Sequence, residues 1–167
     1  MTPLYTATYP SPLGTILLTS DGECLTGLRF LDDPETAATD VPPAPVPVIA
    51  QAIRWLDDYF AGHEPHTLPR LHPHGTAFQC RVWQSLFSIP YGQTCTYGDL
   101  AQLLHCRSAR AVGQALTRNP IALLIPCHRV IAAHASLGGY AYGLPRKQQL
   151  LHLESSGLGV QHKDIKN

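Results

Sequence analysis

The chain has 167 residues and is 44% hydrophobic, which is enough apolar material for one domain of ordinary size or two small ones. This composition excludes a disordered or fibrous protein. No apolar run approaches the roughly 18 residues of a membrane span, and residues 1–14 lack the basic-then-apolar order of a signal peptide. We therefore expect a soluble, cytoplasmic protein with no membrane partner.

The formal net charge is zero, but charge is distributed unevenly along the sequence. Residues 1–74 carry three Arg/Lys against nine Asp/Glu, whereas residues 75–167 carry nine Arg/Lys against three Asp/Glu. A basic half is typical of proteins that bind a polyanion such as nucleic acid. Mutual attraction between the two halves explains the same pattern, so charge alone leaves both interpretations open.

The cysteines are five in number, scattered, and without a CxxC pair. In a chain that lacks a secretory signal, this pattern predicts reduced thiols rather than a disulfide framework. The positions are Cys24, Cys80, Cys95, Cys106 and Cys127.

The acidic half begins with three strand-like segments, at residues 4–9, 15–20 and 25–31, which are separated by the turn signals PSPLG and DGE. Residues 32–47 are rich in proline and acidic side chains and are predicted to form a surface loop. Residues 48–62 carry apolar side chains at helical spacing and end in glycine, which predicts an amphipathic helix.

A second linker, HEPHTLPRLHPHG, spans residues 63–75 and contains four histidines. The proline punctuation predicts an exposed loop. Zinc binding is the alternative, but no cysteine pair and no helix fixes ligand geometry here. The sequence does not decide whether these histidines bind metal, and we assign no metal ligand.

The basic half is predicted to be mostly helical. Residues 76–89 form the first helix, and a last helix spans residues 145–155, with Pro145 in its first turn. Residues after about 157 are expected to form a frayed tail. The apolar stripe of the first helix contains Phe78, Val82, Trp83, Leu86 and Phe87.

Two short helices, at residues 96–104 and 108–119, are predicted in the middle of the basic half, with Thr96 or Ser108 available as N-caps. The three residues between them suit the corner of a helix-turn-helix. Arginines at 107, 110 and 118 lie in or beside the second helix, which favours DNA binding. We therefore expect an N-terminal supporting domain over residues 1–74 and a DNA-binding domain over residues 75–167.

The segment LLIPCHRVI, residues 123–131, places Cys127, His128 and Arg129 side by side inside an apolar run. Buried ionisable side chains are rarely accepted without partners. A thiol becomes a useful nucleophile only as thiolate, so a reactive Cys127 needs a base nearby. Adjacent side chains rarely face each other in a helix or strand, so His128 needs either a sharp backbone turn or an intervening water. An inert, buried cysteine is the alternative.

Several motifs in the basic half occur together in one order: TAFQCRVWQSLFSIPYGQTCTYGDLA, ARAVGQALTRNP, IPCHRVI, GGYAYGL and RKQQLLHLE. Over about residues 75–155 the chain resembles the O6-alkylguanine-DNA alkyltransferase (methylated-DNA–protein-cysteine methyltransferase) family. The N-terminal half is similar only through SPLG and the order of its elements. The resemblance implies an α+β fold, with a small RNase H-like antiparallel sheet and helix followed by a helical domain with a helix-turn-helix.

The resemblance also implies a reaction, in which an alkyl group moves from O6 of a damaged guanine in double-stranded DNA to Cys127. His128 would deprotonate the thiol through a water and Glu154 would orient His128. Asn119 would brace the turn before the cysteine, and Tyr97 would help to protonate the departing guanine. No cofactor is implied. Because a thioether has no electrophilic carbonyl for water to attack, each molecule would act once.

By the same resemblance, the second helix of the helix-turn-helix lies in the minor groove and the damaged base is flipped into a pocket. Arg110 would fill the vacated space in the stack. The protein is expected to act as a monomer. The further expected DNA contacts are Ala109, Ala111, Gly113 and Arg118.

The pocket wall would come from Tyr140, Ala141 and Tyr142, with Leu116 beneath the base. Many relatives carry serine at the position of Ala141 and a small residue at that of Tyr142. A side-chain hydrogen bond to guanine is therefore expected to be missing here, and we hypothesise that Tyr142 disfavours bulky adducts.

Three other functions explain less of the sequence. A cysteine hydrolase would use Cys127 but leaves the arginine-bearing helix-turn-helix unexplained. A non-catalytic binder of alkylated DNA is the closest rival, but such relatives replace the cysteine. A plain helix-turn-helix regulator would not need the PCHRV segment.

Overall fold

The computed structural model describes residues 4–32 and 46–157. They fall into two compact units, one within the ranges 1–74 and 120–124 and the other within 75–119 and 125–167. Most of the predicted surface loop and the predicted tail lie outside the described residues. The assignment of a supporting and a DNA-binding domain to the two halves stays a prediction.

The first unit contains the predicted three-stranded antiparallel sheet, formed by β1 (Tyr5–Ser11), β2 (Gly14–Ser20) and β3 (Leu25–Leu31) in that order. Side chains alternate along β2, so that Ile16 and Leu18 are fully buried while their neighbours are not. All three predicted strands are confirmed to within two residues.

The outer edge of β3 is covered by two distant segments of the same unit. The Leu25 amide donates to the Arg70 carbonyl at 2.8 Å, and the Leu28 amide donates to the Pro120 carbonyl at 2.9 Å. The Ala122 amide donates back to the Leu28 carbonyl at 3.0 Å. Residues 120–122 therefore lie parallel to β3 and satisfy the polar groups of its edge.

Helix α1 (Pro47–Phe60) belongs to the same unit and begins with proline in its first turn, one residue before the predicted start. It ends at Phe60, and Gly62 follows with a φ of 87°, a backbone conformation that favours glycine. The buried face of α1 consists of Val48, Ile49, Ala52, Trp55, Leu56 and Tyr59.

The second unit begins with helix α2 (Ala77–Ser85), which carries a complete capping box. The Gln79 amide donates to the Thr76 hydroxyl at 3.1 Å, and the Thr76 amide donates to the Gln79 side chain at 3.0 Å. The prediction that Phe87 belongs to the buried stripe is wrong, because its side chain is 41% exposed. The helix tightens to a 3₁₀ turn over Leu86–Ser88, which rotates Phe87 away from the α-helical stripe.

The predicted helix-turn-helix is present in the second unit, as α3 (Tyr97–Leu103) and α4 (Ala109–Thr117). Both predicted caps are confirmed: the Thr96 hydroxyl accepts from the Asp99 amide at 3.0 Å, and the Ser108 hydroxyl accepts from the Ala111 amide at 3.1 Å. Helix α4 packs on α2, where the indole of Trp83 donates to the Ala115 carbonyl at 2.9 Å.

The rest of the second unit surrounds the PCHRV segment. Strand β4 (Cys95–Thr96) pairs in parallel with β5 (Val130–Ile131), and helix α5 (Leu144–Gly157) packs against the 3₁₀ turn that holds Cys127. Across the described residues, none of the helices combines the length and the apolar character that crossing a bilayer requires.

Candidate active site

Cys127 begins a 3₁₀ turn, Cys127–Arg129, immediately after Pro126, whose φ is −83° and ψ is 64°. The Cys127 amide donates to the Ile125 carbonyl at 2.8 Å, and the Arg129 amide donates to the Pro126 carbonyl at 3.1 Å. Cys127 is 7% exposed. The sharp turn is one of the two solutions that the sequence left open for two adjacent reactive side chains.

Glu154, on α5, binds both ionisable residues that follow the cysteine. Its carboxylate contacts the Nε2 of His128 and accepts from the Nε of Arg129 at 2.7 Å. The Gly92 amide donates to the same carboxylate at 3.2 Å. Both His128 and Glu154 are fully buried. The single Glu154 carboxylate therefore pairs with both His128 and Arg129, which allows two consecutive ionisable side chains to lie in an apolar run.

Arg129 has a structural role that the sequence did not indicate. Besides its bond to Glu154, its Nη1 donates to the Ile89 carbonyl at 2.9 Å, and its guanidinium lies 5.8 Å from the ring centroid of Tyr91. These contacts connect the reactive turn to helix α5 and to the segment that follows helix α2. Two features of the sequence could have indicated this role: Arg129 directly follows His128, and Glu154 is the sole acidic residue of 100–157 and thus the nearby partner for a buried cation.

The Asn119 side chain donates two hydrogen bonds at the reactive turn, one of them to the Cys127 thiol. The Asn119 Nδ2 donates to Cys127 Sγ at 3.2 Å and to the Ile125 carbonyl at 2.8 Å. Burial raises the pKa of the Cys127 thiol, and the Asn119 hydrogen bond and the charge of Lys147 act in the opposite direction. The site therefore offers a Cys127 thiolate one hydrogen-bond donor and one nearby positive charge in a buried environment.

Lys147 is a buried residue near the reactive turn that the sequence did not predict to be part of the site. Although it lies in the RKQQ run of α5, its side chain is fully buried. Its Nζ donates to the Val130 carbonyl at 2.6 Å and to the Gly139 carbonyl at 2.9 Å. Burial lowers the pKa of Lys147 to about 8. Helical spacing could have indicated that Lys147 is buried, because Leu150, Leu151 and Glu154, which are buried on the same helix, follow it at helical intervals.

Tyr97, at the start of α3, shares an acceptor with Lys147. Its hydroxyl donates to the Gly139 carbonyl at 3.3 Å, and the Lys147 ammonium lies 5.8 Å from its ring centroid. Burial raises the pKa of Tyr97. Gly138 lies against the same ring, and a Cβ at Gly138 would lie 2.8 Å from Tyr97 Cε2. Tyr97 and Lys147 are thus brought together by one carbonyl.

An open cleft of about 490 Å³ lies between the helix-turn-helix and the glycine-rich loop of the same unit. Its lining includes three of the predicted DNA contacts together with Tyr97; the residues are Tyr97, Ala109, Arg110, Gly113, Gln114, Thr117 and Gly139. Arg107, Arg110 and Arg118 are exposed. Arg118 follows the last turn of α4 and does not line the cleft.

The predicted pocket residues lie in different environments. Tyr140 and Tyr142 pack edge to face with ring centroids 5.7 Å apart. The Tyr140 hydroxyl is buried, and burial raises the pKa of Tyr140 well above its ordinary value. Ala141 is exposed, whereas Leu116 is buried in α4. Ala111, a predicted DNA contact, is half-buried on the same helix.

The histidine linker shows one contact between its side chains, with the rings of His72 and His74 4.5 Å apart. The Nδ1 of His72 also lies 3.8 Å from the Oδ2 of Asp21. Within residues 4–32 and 46–157, no group of three or more His, Cys, Asp or Glu side chains is arranged to hold a metal ion.

Two family models match the chain and together cover most of it. The DNA-binding domain of 6-O-methylguanine DNA methyltransferase matches residues 77–156, and the ribonuclease-like domain of the same family matches residues 4–69.

Curated relatives and solved structures agree with those models. The methylated-DNA–protein-cysteine methyltransferase of Methanosarcina acetivorans is 44% identical over 157 residues, covering 92% of this chain and 99% of the relative. That of Mycobacterium tuberculosis is 44% identical over 151 residues, covering 89% and 91%. The crystal structure of Mycobacterium tuberculosis OGT in complex with DNA has a TM-score of 0.81 at 40% identity, covering 92% and 94%. These neighbours confirm the predicted α+β architecture.

Proposed function

The chain belongs to the 6-O-methylguanine DNA methyltransferase family, and we propose that it repairs DNA by moving an alkyl group from O6 of guanine to Cys127. The observation that carries this proposal is the arrangement around the thiol. Cys127 Sγ accepts a hydrogen bond from Asn119, and the next residue, His128, is held by the buried carboxylate of Glu154.

The reaction begins with the Cys127 thiolate. Burial disfavours this anion, whereas the Asn119 amide and the Lys147 charge favour it. His128, fixed by Glu154, takes the thiol proton through a water. The thiolate therefore forms beside its proton acceptor, His128, and beside the two groups that stabilise it, Asn119 and Lys147.

The thiolate attacks the saturated carbon attached to O6 of guanine. The S–C bond forms as the C–O6 bond breaks, and the electron pair of that bond stays on the guanine. Tyr97 donates a proton to the departing base, which neutralises the developing negative charge. Because the thioether product has no electrophilic carbonyl for water to attack, Cys127 is consumed.

Access to O6 requires the base to leave the duplex, which costs a few kcal/mol and less for a poorly paired base. We propose that α4 enters the minor groove, that Arg110 fills the vacated space, and that the base enters the cleft beside Tyr97. The exposed Arg107 and Arg118 contact phosphates without regard to sequence, which suits a protein that inspects any site.

Replacing Gly138 with alanine is expected to slow alkyl transfer by about 10- to 100-fold. Gly138 has a φ of 70°, and the new Cβ would lie 2.8 Å from Tyr97 Cε2 and 2.9 Å from its hydroxyl, so the ring must move. Single-turnover kinetics on a methylated duplex measure the change. Gly98→Ala is the matched control, because its Cβ would meet only Thr96 Oγ1 at 3.8 Å. Similar rates for both variants would contradict this role of Gly138.

Tyr142→Gly is expected to react with free O6-benzylguanine about tenfold faster than the native protein. The Tyr142 ring packs edge to face on that of Tyr140, and the hypothesis is that the ring takes up space in the pocket wall that the resemblance assigns to the base. Tyr142→Phe, which keeps the ring, is expected to retain the native rate. Equal rates for the native protein and Tyr142→Gly would refute the hypothesis.

The proposed function is tested with a duplex that contains one O6-methylguanine. Nucleoside analysis after digestion is expected to show one guanine restored for each protein molecule added, with no further conversion when the protein is limiting. Conversion that continues past one equivalent would indicate a turnover enzyme, and tight binding without conversion would indicate a recognition protein.

A further inference from the structure

Lys147 is a buried amine near the Cys127 turn, and the proposed reaction does not use its nucleophilicity. Its Nζ is fixed by the Val130 carbonyl, three residues after Cys127, and by the Gly139 carbonyl, which also accepts from Tyr97. The side chain is fully buried. The amine therefore contacts the segment that follows the reactive thiol, and the charges of the amine and the thiolate act on each other.

The amine is poised to lose its proton near neutral pH, since burial lowers the pKa of Lys147 to about 8. The charge of the Cys127 thiolate works against this effect. Once the sulfur is alkylated, that negative charge is gone, and the amine loses its proton more readily. The titratable groups that face Lys147 among the described residues are the Cys127 thiol and the Tyr97 phenol.

We propose that Lys147 is a second acceptor for adducts that carry a leaving group on their second carbon, such as 2-haloethyl groups on O6 of guanine. The final product is a two-carbon bridge between Cys127 Sγ and Lys147 Nζ. This inference rests on the proposed function, because the first step is the transfer of the alkyl group to Cys127.

The chemistry requires no further reagent. Transfer gives a Cys127 2-haloethyl thioether and releases guanine. The thioether sulfur then displaces the halide, forming a three-membered episulfonium ring and a halide ion. The neutral Lys147 amine attacks a ring carbon, the C–S⁺ bond breaks as the C–N bond forms, and the new ammonium loses the attacking amine's proton to solvent.

Water is the competing nucleophile and would give a 2-hydroxyethyl thioether. Well-oriented intramolecular groups act with effective molarities of about 10⁵–10⁸ M, far above the concentration of liquid water. Lys147 must release its two carbonyl acceptors, Val130 and Gly139, before Nζ can attack. The flexible four-carbon stem then allows Nζ to move within the pocket.

The test uses two duplexes in parallel, one with O6-methylguanine and one with freshly annealed O6-(2-chloroethyl)guanine, followed by intact-mass and peptide mass spectrometry. The native protein is expected to gain two carbons and two hydrogens from the chloroethyl duplex, with the peptides of Cys127 and Lys147 linked. The bridge is expected to exceed the hydroxyethyl thioether by about tenfold. Its share is expected to rise with pH through about 8.

Lys147→Arg is the matched variant, because guanidinium keeps the positive charge but is not deprotonated in proteins. Because Lys147 also favours the thiolate, this variant is compared only among molecules that have accepted an alkyl group, whatever their rate of transfer: none of these is expected to carry the bridge, and their Cys127 is expected to carry a hydroxyethyl or chloroethyl group. If the native protein takes up methyl but forms no bridge from the chloroethyl duplex, this inference is overturned and the proposed function stands. If it takes up neither group, the proposed function itself fails.

Discussion

Glu154→Gln is expected to lower the free energy of unfolding by about 3–5 kcal/mol. The substitution keeps the shape of the side chain but removes the charge that Arg129 and His128 contact inside the protein. Arg129 then becomes a buried cation without its carboxylate, which is far more costly than the loss of an exposed ion pair. Urea denaturation of the native and variant proteins measures the difference.

The control for this variant is Glu64→Gln, because Glu64 is an exposed residue of the linker. Surface substitutions of this kind change stability by about 0.5 kcal/mol or less. The surviving folded fraction of Glu154→Gln is also expected to transfer alkyl groups more slowly, since His128 loses the carboxylate that orients it. A variant as stable as Glu64→Gln would show that Glu154 does not hold the buried cluster together.

Cys127→Ser is expected to lose alkyl transfer beyond detection while its affinity for DNA stays unchanged. A serine hydroxyl can accept the Asn119 hydrogen bond that the thiol accepts at 3.2 Å, so the turn is expected to persist. The hydroxyl is a weak nucleophile at its free pKa and a much poorer one than a thiol. Restored guanine in the duplex measures the reaction, and a gel-shift titration measures binding.

Cys80→Ser serves as the comparison because Cys80 is a free, half-buried thiol on α2. It is expected to transfer alkyl groups at the native rate. Transfer by Cys127→Ser, or loss of transfer in Cys80→Ser, would assign the acceptor to another residue.

Local patterns in the sequence predicted much of the fold. Thr96 and Ser108 cap the helices of the helix-turn-helix because their hydroxyls can accept from the exposed amides of a first turn, and this depends only on nearby residues. Phe87 was misplaced because periodicity assumes a continuous α-helix, and a change to 3₁₀ geometry is not visible in it. The pairing of residues 120–122 with β3 joins segments far apart in sequence, which no local pattern encodes.

The site was predictable only where the sequence supplied a motif. Cys127 and His128 were identified from the LLIPCHRVI segment, and Asn119 and Glu154 through the resemblance. The structure brings these four together, although their roles stay predictions. Lys147 was missed because a lysine in a charged run favours an exposed position. Its burial depends on two carbonyl acceptors from Val130 and Gly139, which only the folded chain brings within reach.

The most direct test of alkyl transfer to Cys127 is intact-mass and peptide mass spectrometry of the protein after incubation with a duplex that contains one O6-methylguanine. Each protein is expected to gain one methyl group in place of a proton, with the group on Cys127, and excess duplex is expected to add no second one. A methyl group on another residue, or restored guanine without any gain in protein mass, would contradict transfer to Cys127.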